Sequence, residues 1–296
     1  MNAVRSLPRC GVLVLVVGLA ANGCARRAAG PASTDATPQR IAALTIGSVD
    51  TLDVLGALHR VVAVEADCHV PGTEHLVKIR NDDHSGPSRA LNVEAVIALA
   101  PDLVIAKEDL RPALATRGLP VFWVPSRSDL ATIADTVVAL GERIGAGDAA
   151  RAVAATMRAR IASIEQRAAT LPRVRVYYEV GRPGRTAGEG TLMNDLVRIA
   201  GGTNIAAGVA MANPTMSSEA IIAADPEVIV LSPWSDPPDV VAARPGWDRI
   251  SAVRERRIHQ IREDRRQIQS PSPRCVEACE RELLVWLHPG LVSDGK

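Results

Sequence analysis

Residues 92–108, NVEAVIALAPDLVIAKE, and residues 217–233, SSEAIIAADPEVIVLSP, are two versions of one unit set 125 positions apart. Glu94, Ala95, Ile97, Ala98 and Pro101 of the first copy meet Glu219, Ala220, Ile222, Ala223 and Pro226 of the second. Asp102 with Glu227 and Leu103 with Val228 are conservative pairs. Each copy reads as a short helix with one apolar face, a proline that stops it, and a buried β-branched strand. A chain of 296 residues has room for two domains at roughly 150 residues each. The repeat therefore points to two related halves.

The flanking segments alternate in the same way. Arg40–Thr45, Val61–Val64 and Pro120–Val124 read as strands of the first half, with a helix over Val49–Leu58. Val174–Tyr178, Val228–Leu231 and Arg257–Ile261 read as strands of the second, with a helix over Leu192–Ala200. Short apolar runs separated by helices imply an α/β fold with mainly parallel sheets. Between the halves, residues 129–169 are rich in Ala, Arg, Ile, Val and Glu, a helical composition without a flexible linker. They read as a rigid long helix, or as two consecutive helices split at Gly145-Ala146-Gly147-Asp148, because glycine is poor inside helices. The expected boundaries are 40–127 for the first lobe, 128–172 for the connector and 173–289 for the second lobe, with 290–296 as a tail.

The beginning of the chain reads as an export signal. Arg5 and Arg9 precede an unbroken apolar run, Gly11–Ala21, too short to span a bilayer as a helix of about 20 residues. The run ends in Ala21-Asn22-Gly23-Cys24, similar to the bacterial lipoprotein cleavage box, in which the Cys becomes the lipidated first residue. Residues 1–23 are thus expected to be removed, Cys24 to carry a membrane anchor, and residues 24–39 to form a flexible tether. Ordinary signal cleavage beside an incidental Cys is the competing reading. The formal charge is +1, from 34 basic and 33 acidic residues, and loss of Arg5 and Arg9 would take it to −1. Such a balance argues against a nucleic-acid binder. In an oxidising compartment the remaining Cys68, Cys275 and Cys279 allow at most one disulfide and leave a free thiol. Cys275 and Cys279, four apart, share one helix face; core packing, a disulfide from Cys68 to Cys275, and a soft metal site are the alternatives.

These features in this order carry a family resemblance. Glu94 and Pro101-Asp102-Leu103-Val104-Ile105 come first, then the helical connector and Ala200-Gly201-Gly202-Thr203-Asn204-Ile205. Ser218-Glu219 and a late Pro271-Ser272-Pro273-Arg274 follow. Over residues 40–289 the chain resembles the substrate-binding proteins of ABC importers in the cobalamin and iron-siderophore class. The resemblance implies two α/β lobes joined by a rigid helix, a ligand cleft between them, and a monomer that delivers its ligand to a membrane permease and its ATPase. It also implies docking on that permease through one acidic residue per lobe, here Glu94 and Glu219, which read otherwise as plain helix-start carboxylates.

Ligands of α/β sheets bind beyond the carboxyl ends of the strands. That rule nominates Ser48, Asp67, His69, Asp83, His84 and Lys107 on the first lobe, and Glu179, Arg185, Gly188, Asn213, Trp234 and Arg266 on the second. Members that bind cobalamin line the cleft with aromatic rings, whereas this chain has only four Trp, two Tyr and one Phe. The aligned positions hold Asp67, His84, Lys107, Arg185 and Asn213, so a hydrophilic metal chelate is expected in place of a corrinoid. Cys68, His69 and His84 could instead hold a bare metal ion. No catalytic cofactor, nucleic acid or enzyme activity is expected; the ligand itself is expected to contain the metal. A periplasmic metal-sensing or chaperone protein on the same fold, and an exported hydrolase, are the competing functions. The chain carries no Gly-x-Ser-x-Gly, Walker or His-Glu-x-x-His motif.

Overall fold

The computed structural model describes residues 36–80, 91–209 and 211–292, all within one unit that runs from Asp35 to the end of the chain. In the first half, β1 (Ile41–Ala43), α1 (Ile46–Val54), β2 (Val61–Glu65) and β3 (Val77–Ile79) are followed by α2 (Val93–Ala98), β4 (Leu103–Lys107), α3 (Arg111–Leu114) and β5 (Val121–Val124). The strands form a parallel sheet in the order β3-β2-β1-β4-β5. The connector is α4 (Leu130–Arg143) and α5 (Gly147–Ala168).

The second half continues with β6 (Val174–Glu179), α6 (Leu192–Ile199), β7 (Gly202–Asn204), α7 (Ser218–Ala224) and β8 (Val228–Leu231). After these come α8 (Pro238–Ala242), α9 (Ser251–Arg254), β9 (Ile258–Gln260), α10 (Arg274–Ala278) and α11 (Leu284–Leu287), the last two joined by a π turn at Cys279–Leu283. Its strands are also parallel, in the order β7-β6-β8-β9.

The repeat is realised in three dimensions. β1 pairs with β4 in the first sheet and β6 with β8 in the second, so the repeated strands take equivalent places. Asn92 caps α2 by accepting from the Ala95 amide, and Ser217 caps α7 by accepting from that of Ala220. Both helices end in a left-handed residue just before the proline, Ala100 at φ 45° and Asp225 at φ 40°. Beyond the prolines, Asp102 accepts from the Arg40 amide that leads into β1, and Glu227 from the Arg175 amide in β6. Two strands missed by periodicity, β3 and β7, are three residues long. Gly201, at φ 79°, stops α6, and Gly202 opens β7 directly behind it.

The connector is not one long helix. Gly145, at φ 74°, reverses the chain between α4 and α5. Arg151 then pairs with Glu142, and Arg158 with Asp135, a pairing that runs antiparallel. The two helices approach so closely at Gly141 that a Cβ there would sit 2.1 Å from the Ala150 Cβ. α4 belongs to both halves. Leu130, Ile133, Ala134 and Val137 pack with Val174 and Leu196 of the second, while Leu140 and Ile144 pack with Ile41, Leu52 and Val61 of the first. Each fully buried side chain of that size contributes about 1.5–3 kcal/mol, so the hairpin is welded to both cores.

A second weld comes from the C-terminal segment. Pro271 lies against the start of α1, where a Cβ on Gly47 would be 2.4 Å from the Pro271 carbonyl oxygen. Arg274 then donates to both Asp50 and Asp53 of α1, and Ser272 Oγ to Asp50 Oδ2 at 3.3 Å.

Candidate functional site

A cavity of about 330 Å³ opens between the halves. From the first come Thr45, Ile46 and Gly47 after β1, Glu65 and Asp67 at the end of β2, Lys107 at the end of β4, and Val124, Pro125, Ser126 and Ser128 at the end of β5. Each is at or just past the carboxyl end of its strand. From the second come Asn213, Trp234, Arg266, Gln269, Ser270 and Pro271. The volume is at the lower end of the roughly 300–1,000 Å³ usual for ligand pockets.

Of the residues nominated from sequence, Asp67, Lys107, Asn213, Trp234 and Arg266 line this cavity together. Trp234 is 48% exposed, and the Arg266 guanidinium lies 5.1 Å from the centre of its ring. His69 faces a smaller side pocket of about 60 Å³ that shares Ile46, Asp67, Arg266 and Ser270 with the main one and adds Asp50. Two acids, Glu65 and Asp67, and two bases, Lys107 and Arg266, thus meet hydroxyls, amides and one indole.

Several nominations are corrected. Ser48 is 5% exposed and faces the cap of α1: the Thr45 hydroxyl accepts from its amide at 3.2 Å and lies 2.6 Å from its own hydroxyl. Glu179 is fully buried in an ion pair with Arg244. Arg185 is exposed, bridges Thr215 through its backbone, and is not among the residues lining the cavity. Gly188 serves packing: a Cβ there would be 1.9 Å from the Met211 carbonyl oxygen. Asp83, His84, Cys24 and the leader lie outside the described residues.

The disulfide reading of the cysteines is corrected too, and Cys68 is turned away from His69. Asp67 and His69 point outwards while Cys68, between them, is 2% exposed in the core of the first half. Cys275 and Cys279 pack in the core of the second, and all three thiols are free. Burial raises the Cys68 thiol above its ordinary range, pushes Cys275 up to about 12 and Cys279 well above normal. A thiol held protonated is a poor metal ligand. Among the described residues no group of three or more His, Cys, Asp or Glu side chains could hold a metal ion.

Thr45, Glu65, Gln269 and Ser270 were not singled out by sequence. The first two follow strands, and the rule of strand carboxyl ends could have found them. Gln269 and Ser270 follow no strand directly, and no motif marks them. The Gln269 amide donates to the Tyr178 hydroxyl at 2.6 Å, and its buried Oε1 finds no partner among the described residues.

Glu94 and Glu219 occupy the same position in the first turn of α2 and α7, and both are exposed. Glu94 lies 3.5 Å from Arg117, with its side chain 78% exposed. The backbone amide of Glu219 and the Ser217 hydroxyl hold its carboxyl below the usual range.

Two parallel sheets presenting their carboxyl ends to one shared cavity, held by a helical hairpin, define a two-lobed α/β cleft protein. The family described as periplasmic binding protein matches residues 41–264, and the chain belongs to that family. A relative in Halobacterium salinarum (strain ATCC 29341 / DSM 671 / R1), named cobalamin-binding protein, is 32% identical over 218 residues, 71% of this chain and 58% of that protein. The chain thus spans less than two thirds of that relative's length. A Bacillus subtilis strain 168 protein, named uncharacterized ABC transporter substrate-binding lipoprotein YvrC, is 27% identical over 269 residues, 87% of this chain and 82% of its own. The fold is shared with the apo periplasmic heme-binding protein RhuT of Roseiflexus sp. RS-1, at a TM-score of 0.73 and 23% identity over 85% of this chain and 98% of that one. Among the described residues, no helix is long and apolar enough to cross a membrane.

Proposed function

We propose that the protein is the extracytoplasmic ligand-binding component of an ABC importer, tethered to the membrane through a lipid on Cys24, and that it captures a hydrophilic metal chelate for a permease. The observation that carries this reading is the mixed polar lining of the cleft. Lys107 and Arg266 suit acidic oxygens of a chelate such as a ferric siderophore, and Glu65 and Asp67 suit its hydroxyl or amine donors. Desolvating these groups against a broad apolar face would cost free energy. The chelated metal is part of the cargo and needs no protein ligands.

A corrinoid is the second reading. It is favoured by the name of the Halobacterium relative and by the Trp234 indole in the cleft wall. Calorimetry with a ferric hydroxamate, a ferric catecholate, haem, cyanocobalamin and a divalent metal salt separates the two. Binding of a ferric chelate is expected. Tight binding of cyanocobalamin with indifference to the others would overturn the polar-chelate reading. Docking is assigned to Glu94 and Glu219, whose equivalent exposed placement on the two lobes suits a permease that meets both at once.

A further inference from the structure

We propose that Arg244 is a positioning residue for ligand capture, because it ties the loop that carries Trp234 to a buried carboxylate. The proposal rests on reading the cleft as the ligand site. Trp234 sits in the short loop after β8, and that loop is fastened from both sides. On its near side Ser232 Oγ and Ser235 Oγ both accept from the Gly181 amide, at 3.0 and 3.1 Å, while Ser235 Oγ donates to the Glu179 carbonyl at 3.0 Å. On its far side Arg244 reaches the loop through Asp236, donating from Nη2 to Oδ2 at 2.9 Å.

The same guanidinium is anchored in the core. It donates to both oxygens of Glu179, at 2.6 and 2.9 Å, and lies 4.8 Å over the Trp247 ring. Glu179 is fully buried and also accepts from the Tyr177 hydroxyl at 3.0 Å and the Gly184 amide at 3.3 Å. A planar fork can hold two carboxylates in one geometry, which the single ammonium of a lysine cannot reproduce. The loop register, and with it the place of the indole in the cleft, is therefore referred to a fixed point in the core. Removing Asp236 cuts only the branch to the loop and leaves the Arg244–Glu179 pair intact. The Asp236 side chain is 44% exposed and Arg244 keeps Glu179, so its loss leaves no unpaired buried charge behind.

The test begins without any ligand. The protein labelled with 5-fluorotryptophan gives one fluorine resonance for each of its four Trp residues, assigned by single Trp→Phe replacements. In Asp236→Ala and in Arg244→Lys, the Trp234 resonance is expected to shift or split while those of Trp123 and Trp286 hold. Trp247 touches Arg244 directly, so the Asp236→Ala arm isolates the loop. An unchanged Trp234 resonance in both variants overturns the proposal, whatever their melting temperatures. In a second arm, ferric desferrioxamine and cyanocobalamin are titrated into wild type and Asp236→Ala. Affinity for whichever probe binds is expected to fall about tenfold, and equal affinity overturns the positioning role. If neither probe binds wild type, the ligand is neither a ferric hydroxamate of this kind nor cyanocobalamin, and the fluorine spectrum alone decides on Arg244.

Discussion

Arg274 Nη1 lies 2.8 Å from Asp50 Oδ1, joining residues 224 positions apart in the chain. The donor opens α10 at the C-terminal end of the fold, and the acceptor belongs to the first helix. With Ser272 and Asp53 the pair fastens the second half onto the first beside the small pocket that Asp50 lines. Together with α4, which is shared by both cores, it leaves little freedom for a wide opening between the lobes.

Asp50 is 2% exposed, so replacing its partner strands a charge. Arg274→Met is expected to destabilise the fold by about 2–3 kcal/mol, less than the 3–5 typical of a fully buried pair, because Arg274 is itself a third exposed. The loss reads directly as a lower midpoint in urea.

The same carboxyl sets a pH dependence. Burial raises Asp50 above its ordinary 3.8, against the opposing hydrogen bond and charge of Arg274. A carboxyl with a raised folded-state pKa favours folding while it is protonated. That contribution is full below 3.8 and is lost as pH climbs through the raised value. Asp50→Asn removes this loss, so its stability relative to wild type should rise with pH across that window. Urea titrations at stepped pH would show it, and a flat difference would exclude it.

Gly141→Ala tests the hairpin. The added methyl would sit 2.1 Å from the Ala150 Cβ, and α4 and α5 would have to separate. Despite alanine's better helix propensity, a loss of about 1–3 kcal/mol is expected. A more stable variant in thermal unfolding would mean that the helices part without cost.

Charge reversal at both docking positions, Glu94→Arg with Glu219→Arg, should leave ligand affinity intact and abolish uptake. Interfacial charges govern encounter and orientation more than the distant cleft. Normal uptake by the double variant in a transport assay would remove these residues from docking.

Cys68, Cys275 and Cys279 are buried with raised thiol pKa values, so a soluble alkylating reagent should leave them unmodified in the folded protein and label all three in denaturant. Peptide mass spectrometry resolves the sites. Rapid labelling of Cys68 in the native state would place its thiol at the cleft after all.

Much of the architecture was legible in one dimension. The 125-residue offset predicts both repeated strands, both short helices and the prolines that end them, because each depends on neighbours a few residues away. β3 and β7 escaped because Val77-Lys78-Ile79 is broken by a lysine and Gly202-Thr203-Asn204 carries no apolar side chain, so neither shows an apolar run. The candidate site was legible only in part. The rule of strand carboxyl ends picked out Asp67, Lys107 and Trp234, but Arg185 falls outside the cavity and Gln269 inside it.

What the sequence by itself determined is the set of local units and their duplication, since hydrophobic period, caps and prolines act within a turn or two of the chain. Tertiary structure alone decided which side of each unit is inside. Asp67-Cys68-His69 alternates in either case, yet only the packed core of the first half turns the thiol inwards and leaves the carboxylate to the cleft and the imidazole to its side pocket. Glu179 and Asp50 look in sequence like any exposed acid, and become fixed points of the fold because Arg244 and Arg274 arrive from 65 and 224 residues away. Contacts of that range depend on tertiary packing, within the second half for Glu179 and between the halves for Asp50, and no local period encodes them.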